Sequence, residues 1–154
     1  MTLRLGQTAP DFDVTSSAGD RLKLKDFLGK KNVVLYFYPA DFTLVCTRET
    51  CGFRDAYAEL ADKDTEVIGI SVDSDESHAK FAKEHNVPFP LISDANRELS
   101  KTYEALGFLQ KLLGKSGRVT YVIDKKGMIA GVFKSELRAS KHVEGVRDLI
   151  RKLG

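Results

Sequence analysis

No stretch of the sequence approaches the roughly 20 consecutive apolar residues that a helix needs to cross a bilayer. The opening Met1-Thr2-Leu3-Arg4-Leu5-Gly6 also lacks the apolar run of a secretory signal, so an intracellular, cytoplasmic address is expected. No linker, repeat or low-complexity segment interrupts the chain. The net charge of +2 is too small to suggest a nucleic-acid binder. It is unevenly spread, net −5 over residues 1–77 and +7 over residues 78–154. That asymmetry reads as two differently charged solvated faces or, alternatively, as a basic patch for an acidic partner protein.

Histidine and cysteine are both scarce. The 3 histidines, His78, His85 and His142, are remote in sequence from the 2 cysteines, Cys46 and Cys51. A Cys-x4-Cys pair without a second close pair is a weak signal for zinc or an iron–sulfur cluster, so no metal and no cofactor is expected. The histidines are expected on the surface or on helix faces. No histidine lies in the segments flanking the strand ends, so the nucleophile and base of a cysteine hydrolase are not signalled either. The spacing likewise excludes a Cys-x-x-Cys oxidoreductase at this position. An intracellular setting keeps thiols reduced, which argues against a structural disulfide staple.

What is present suits one soluble α/β domain spanning residues 1–154, since 42% of the chain is hydrophobic and 30% charged, with only 4 prolines. Asn32–Tyr38 is an unbroken β-branched and aromatic run ending at Pro39, the pattern of a strand buried on both faces. From about residue 44 to 61, Val45, Phe53, Ala56, Tyr57 and Leu60 recur at near-helical spacing. Glu66–Val72 predicts a second strand, followed by Asp73 and Glu76 at capping-box spacing and a helix over 77–85. Leu91–Ser93 is a short strand, 96–103 a modest helix, and 106–117 a loop. Two runs, 119–124 and 128–133, flank Lys125-Lys126-Gly127 as a β-hairpin, and an amphipathic helix closes the chain. Near the start, 12–14 and 21–24 flank Ser16-Ser17-Ala18-Gly19-Asp20 as another hairpin. This order predicts a thioredoxin-like fold: a central mixed sheet, helices on both faces and an N-terminal β-hairpin extension.

Both cysteines fall in the first half of the 44–61 helix. A cysteine in a helix's first turn lies near backbone N–H groups that lack intrahelical acceptors, and their partial positive charge favours thiolate. Thr43, three residues before Cys46, is placed to cap that helix. Positions five apart in an ideal helix have Cα atoms roughly 8.7 Å apart, beyond the limit of about 7 Å for a disulfide. If Cys46 and Cys51 bridge, the helix start must unwind. The bland alternative is a pair of buried, unreactive thiols.

The run Tyr38-Pro39-x-x-x-Thr43-x-x-Cys46-Thr47-x-Glu49-x-Cys51 resembles the active-site signature of the peroxiredoxins, in particular the bacterioferritin comigratory protein or peroxiredoxin Q branch. The resemblance extends to Gly6–Phe12, Gly69–Asp73, Leu91–Asp94 and Gly117–Asp124. It implies a thiol peroxidase with Cys46 as the peroxidatic cysteine, Cys51 as the resolving one, and Pro39, Thr43 and Arg118 completing the site. Arg118 would lower the Cys46 pKa and orient the peroxide, Thr43 would hydrogen-bond the peroxide oxygens, and Pro39 would shield the pocket. The resemblance further implies reduction of hydrogen peroxide and organic hydroperoxides, an intrachain disulfide, reduction by thioredoxin or a similar dithiol, and a monomer or weak homodimer. Leu44-Val45 departs from the branch's usual Pro-Gly pair and makes the mouth of the site more apolar. Glu49 is read as a brace for Arg118 or Arg48, or as a solvated helix residue. A non-enzymatic thioredoxin-fold protein-binding module and a redox sensor are the alternatives to catalysis.

Overall fold

The computed structural model describes residues 3–38, 41, 44–105, 119–134 and 139–153, with the backbone alone for 44–46 and 139–141. Its elements run β1 (Asp13–Thr15), β2 (Arg21–Lys23), α1 (Leu24–Phe27), β3 (Asn32–Phe37), α2 (Leu44–Ala61), β4 (Thr65–Ser71) and α3 (Asp75–His85). Then follow β5 (Leu91–Ser93), α4 (Glu98–Thr102), β6 (Val119–Ile123), β7 (Ile129–Lys134) and α5 (Ala139–Leu153). β1 and β2 pair as a separate antiparallel hairpin. The other five strands form one mixed sheet in the order β5-β4-β3-β6-β7, parallel from β5 to β3 and antiparallel from β3 to β7.

β3 is buried along its whole length, as its unbroken apolar run requires. Its period-2 alternation divides the core. Val33, Leu35 and Phe37 join Ile68, Ile70, Tyr121 and Ile123 on one face, which Phe12, Leu24, Leu99 and Tyr103 cover from the hairpin, α1 and the α4 region. Val34, Tyr36 and Tyr38 point the other way, against Phe53, Ala56 and Leu60 of α2, Phe81 of α3 and Val143, Val146 and Ile150 of α5. Helices therefore lie on both faces, as the element order predicts.

Three local features depart from expectation. Leu24 opens the short helix α1 instead of extending β2, with its side chain buried in the core. The cap of α3 is Ser74, whose side chain accepts from the Ser77 N–H, and Asp73 is engaged elsewhere. The helix near residue 98 is short, five residues, and begins after Arg97 at a positive φ of 58°. The segment 106–117, read as a loop, lies outside the described residues.

Gly69 of β4 faces Tyr36, whose ring stacks on Phe53 and meets Phe89 edge-on. A Cβ there would stand 2.7 Å from the Tyr36 ring and from Leu91 Cδ2. Tyr36 is itself fully buried, so the ring has little room to yield. Gly69→Ala is expected to destabilise the protein by about 1–3 kcal/mol, despite alanine's smaller backbone entropy cost, as measured by urea unfolding.

Candidate active site

β3 runs out at Tyr38, whose N–H still donates to the Ile70 carbonyl at 3.0 Å. Six residues later α2 begins, and between the two the structure describes Asp41. Polar contacts fix that residue. Its carboxylate accepts from the Tyr38 hydroxyl (2.6 Å), the Ser77 hydroxyl (2.9 Å) and His78 Nδ1 (2.7 Å). Its backbone N–H donates to Asp73 Oδ2 at 2.7 Å, and the same oxygen accepts from the Ser71 hydroxyl at 2.6 Å. His78 Nε2 lies 3.1 Å from the Ile92 carbonyl. The end of β3 and the first turn of α3 thus meet at Asp41 directly, and β4 and β5 join through Asp73 and His78.

Asp41 and His78 are both buried, a setting in which a carboxylate is retained only when its lone pairs are satisfied. Burial, with Tyr36 and Asp41 nearby, pushes the Tyr38 hydroxyl well above its ordinary pKa and keeps it a donor. Asp41, Asp73 and His78 lie close enough together to suggest a cation site. Their ligand atoms are already engaged, however: Asp41 and Asp73 accept from hydroxyl groups and a backbone N–H, and the ring nitrogens of His78 lie against Asp41 and the Ile92 carbonyl. The cluster fits a hydrogen-bonded anchor.

α2 enters the sheet's α2–α5 face with Cys46 as its third residue, in the first turn where backbone N–H groups lack intrahelical acceptors. One turn further on, the helix is pinned from three directions. Glu49 is wholly buried, its Oε2 3.2 Å from His142 Nδ1 of α5, and Thr120 Oγ1 of β6 lies 2.7 Å from the same nitrogen. Thr50 Oγ1 meets the Tyr36 hydroxyl at 2.9 Å. Gly52 lets α5 approach so closely that a Cβ would lie 2.8 Å from Val143 Cγ2. Between these contacts Cys51 is a half-buried free thiol, with Sγ 3.9 Å from His85 Nδ1 at the end of α3.

A sequence profile of the AhpC/TSA family matches residues 5–132. Peroxiredoxin Bcp of Bacillus subtilis is 40% identical over 147 residues, 93% of this chain and 92% of that protein. The chloroplastic peroxiredoxin Q of Sedum lineare is 40% identical over 149 residues, covering 96% of this chain and 78% of its own. Among solved structures, the peroxidoxin BcpB of Mycobacterium tuberculosis superposes with a TM-score of 0.88 at 32% identity, over 99% of both chains. The chain belongs to the AhpC/TSA family, in its peroxiredoxin Q/Bcp branch. A thioredoxin peroxidase I of Plasmodium yoelii is also similar, with a TM-score of 0.82 at 29% identity over 97% of this chain and 90% of that one.

Of the five residues predicted for the site of this peroxiredoxin, Cys46 and Cys51 lie on α2, and the side chain of Cys46 is outside the described residues. Pro39, Thr43 and Arg118 are outside them as well. Val119, next to Arg118 in sequence, pairs with Phe37 at the end of β3.

The histidines of this peroxiredoxin all lie on helices, as one of the two expectations had it, but their inward contacts were not read from the sequence. His78 and His142 are fully buried, and all three histidines touch the turn before α2 or α2 itself. Glu49 is buried against His142, which overturns the solvated one of its two readings. The available signal was weak: Asp41 sits two residues after Pro39, and His78 four residues after the cap of α3, but nothing in the spacing says that they meet. Asp41→Ala leaves the buried Tyr38 hydroxyl, the half-buried Ser77 hydroxyl and His78 without their acceptor, and is expected to cost about 3 kcal/mol in chemical denaturation. Asp41→Asn, which keeps the shape, should cost less.

Proposed function

We propose that this protein is a thiol peroxidase that reduces hydrogen peroxide and organic hydroperoxides, with Cys46 as the attacking thiolate and Cys51 as the resolving thiol. The observation that carries the reading is the start of α2, which holds Cys46 in its first turn beyond the carboxyl end of the parallel strands, where open α/β sheets hold their sites. The names of the relatives support the same chemistry.

The Cys46 thiolate attacks one peroxide oxygen and the O–O bond breaks. The leaving oxygen takes a proton and departs as water or an alcohol, and Cys46 becomes a sulfenic acid. Attack by Cys51 on that sulfur breaks the S–O bond, releases water and leaves an intrachain disulfide. Thioredoxin or a similar dithiol then reduces it by exchange, a reductant in keeping with the name of the Plasmodium yoelii relative. In this reading the roles of Arg118, Thr43 and Pro39 are to supply positive charge that favours the thiolate, to bond the peroxide oxygens and to limit water.

α2 is a continuous helix from 44 to 61, in which a five-residue spacing keeps Cα atoms roughly 8.7 Å apart. Resolution therefore needs the helix to open. The ties of Glu49, Thr50 and Gly52 confine that opening to the residues before them. The protein works as a single domain, a monomer or weak homodimer, in the cytoplasm. No described helix is long and apolar enough to cross a membrane.

Stopped-flow consumption of peroxide by the reduced protein tests the assignment. Cys46→Ser is expected to abolish it, and full activity in that variant would end the proposal. Cys51→Ser is expected to consume one equivalent and to stop at the sulfenic acid, as read by trapping with dimedone.

A further inference from the structure

Cys51 is not packed like an inert thiol. It is half-buried on the flank of α2 that faces the last turn of α3, where His85 Nδ1 comes within 3.9 Å of its sulfur. His85 is held there through its ring and its backbone. Its ring rests on Phe81, with centroids 4.9 Å apart, and Arg54 of α2 donates to the His85 carbonyl at 2.8 Å. Arg54 is the charged group that reaches this corner from α2, and its guanidinium also binds Asp55 at 3.0 Å. The backbone of Cys51 is fixed in turn by its neighbours, Glu49 and Thr50 before it and Gly52 and Phe53 after it.

We infer that His85 is the general base of the resolving step, accepting the Cys51 thiol proton as that sulfur attacks the Cys46 sulfenic acid. The inference rests on the reading of Cys51 as the resolving cysteine. The opening of α2 lies upstream of residue 49, so Cys46 travels and Cys51 stays beside His85 when the sulfurs meet. In the step, the Cys51 S–H bond breaks, its proton passes to His85 Nδ1 and its electron pair forms the S–S bond. The Cys46 S–O bond breaks with its pair on the departing hydroxide, which takes a proton from solvent. His85 returns its own proton to solvent. No further oxidant or reductant enters.

A general base acts only while it is neutral, so its contribution falls at low pH. It also loses its value at high pH, where a free thiol ionises without help. The full-length reduced protein is mixed with one equivalent of hydrogen peroxide and quenched in acid, and sulfenic acid and disulfide are followed by mass spectrometry. Each trace gives the ratio of second-step to first-step rate. His85→Gln is expected to lower that ratio by about tenfold or more near pH 7, with the deficit closing above about pH 9.

His85→Asn is read in parallel, so that a folding failure of one variant leaves the other to decide. A ratio within about twofold of the native value at every pH overturns the inference, and so does a deficit of equal size at all pH values, which marks a packing effect. Cys51→Ser separates the two levels of the argument. If it loses its sulfenic acid as fast as the native protein, the resolving role of Cys51 itself fails. If only the histidine variants behave as native, the resolving role stands and His85 has no part in it.

Discussion

The molecule depends on the pairing of β3 with two neighbours that run in opposite directions. β4 runs parallel to it, and β6 runs antiparallel. That pairing buries all six residues of β3 and gives each face of the sheet its own core. It also gathers chain segments of very different origin at one edge. The carboxyl ends of β3, β4 and β5 meet the amino end of β6 there, so groups more than 80 residues apart in sequence share one neighbourhood.

Two buried polar clusters convert that neighbourhood into a shaped site. Asp41 ties the turn after β3 to β4 and α3, and Glu49 ties the second turn of α2 to α5 beside Thr120 of β6. Breaking either partner of such a pair is costly, because the survivor is left in a medium that solvates it poorly. The start of α2 lies between these ties. The two clusters thus hold the chain before and after the first turn of α2.

The elements were largely legible in the sequence because each writes its burial as a period. The unbroken run of β3, the 44–61 stripe of α2 and the two hairpins were all readable from local pattern. The cysteines of α2 were readable too, since their distance from the end of β3 is a local quantity. What could not be read was which polar residues turn inward. Glu49, His78 and His142 carry residue types that usually meet water, and their burial is decided by partners 93, 37 and 93 positions away. Asp73 shows the same limit at short range: its spacing to Glu76 suited a cap, but Ser71 and the Asp41 N–H take its carboxylate instead. Local propensity yields where a tertiary donor offers a better bond.

Gly52 makes the last helix part of the redox machinery without giving it any chemistry. Because α2 and α5 touch through the missing side chain of Gly52 and the branched one of Val143, the volume available at those two positions is one shared quantity. Either residue can grow only if the other shrinks. The C-terminal helix is therefore not a removable cover over the core but the splint against which α2 is set. Its sequence is constrained by a helix that it follows by some eighty residues.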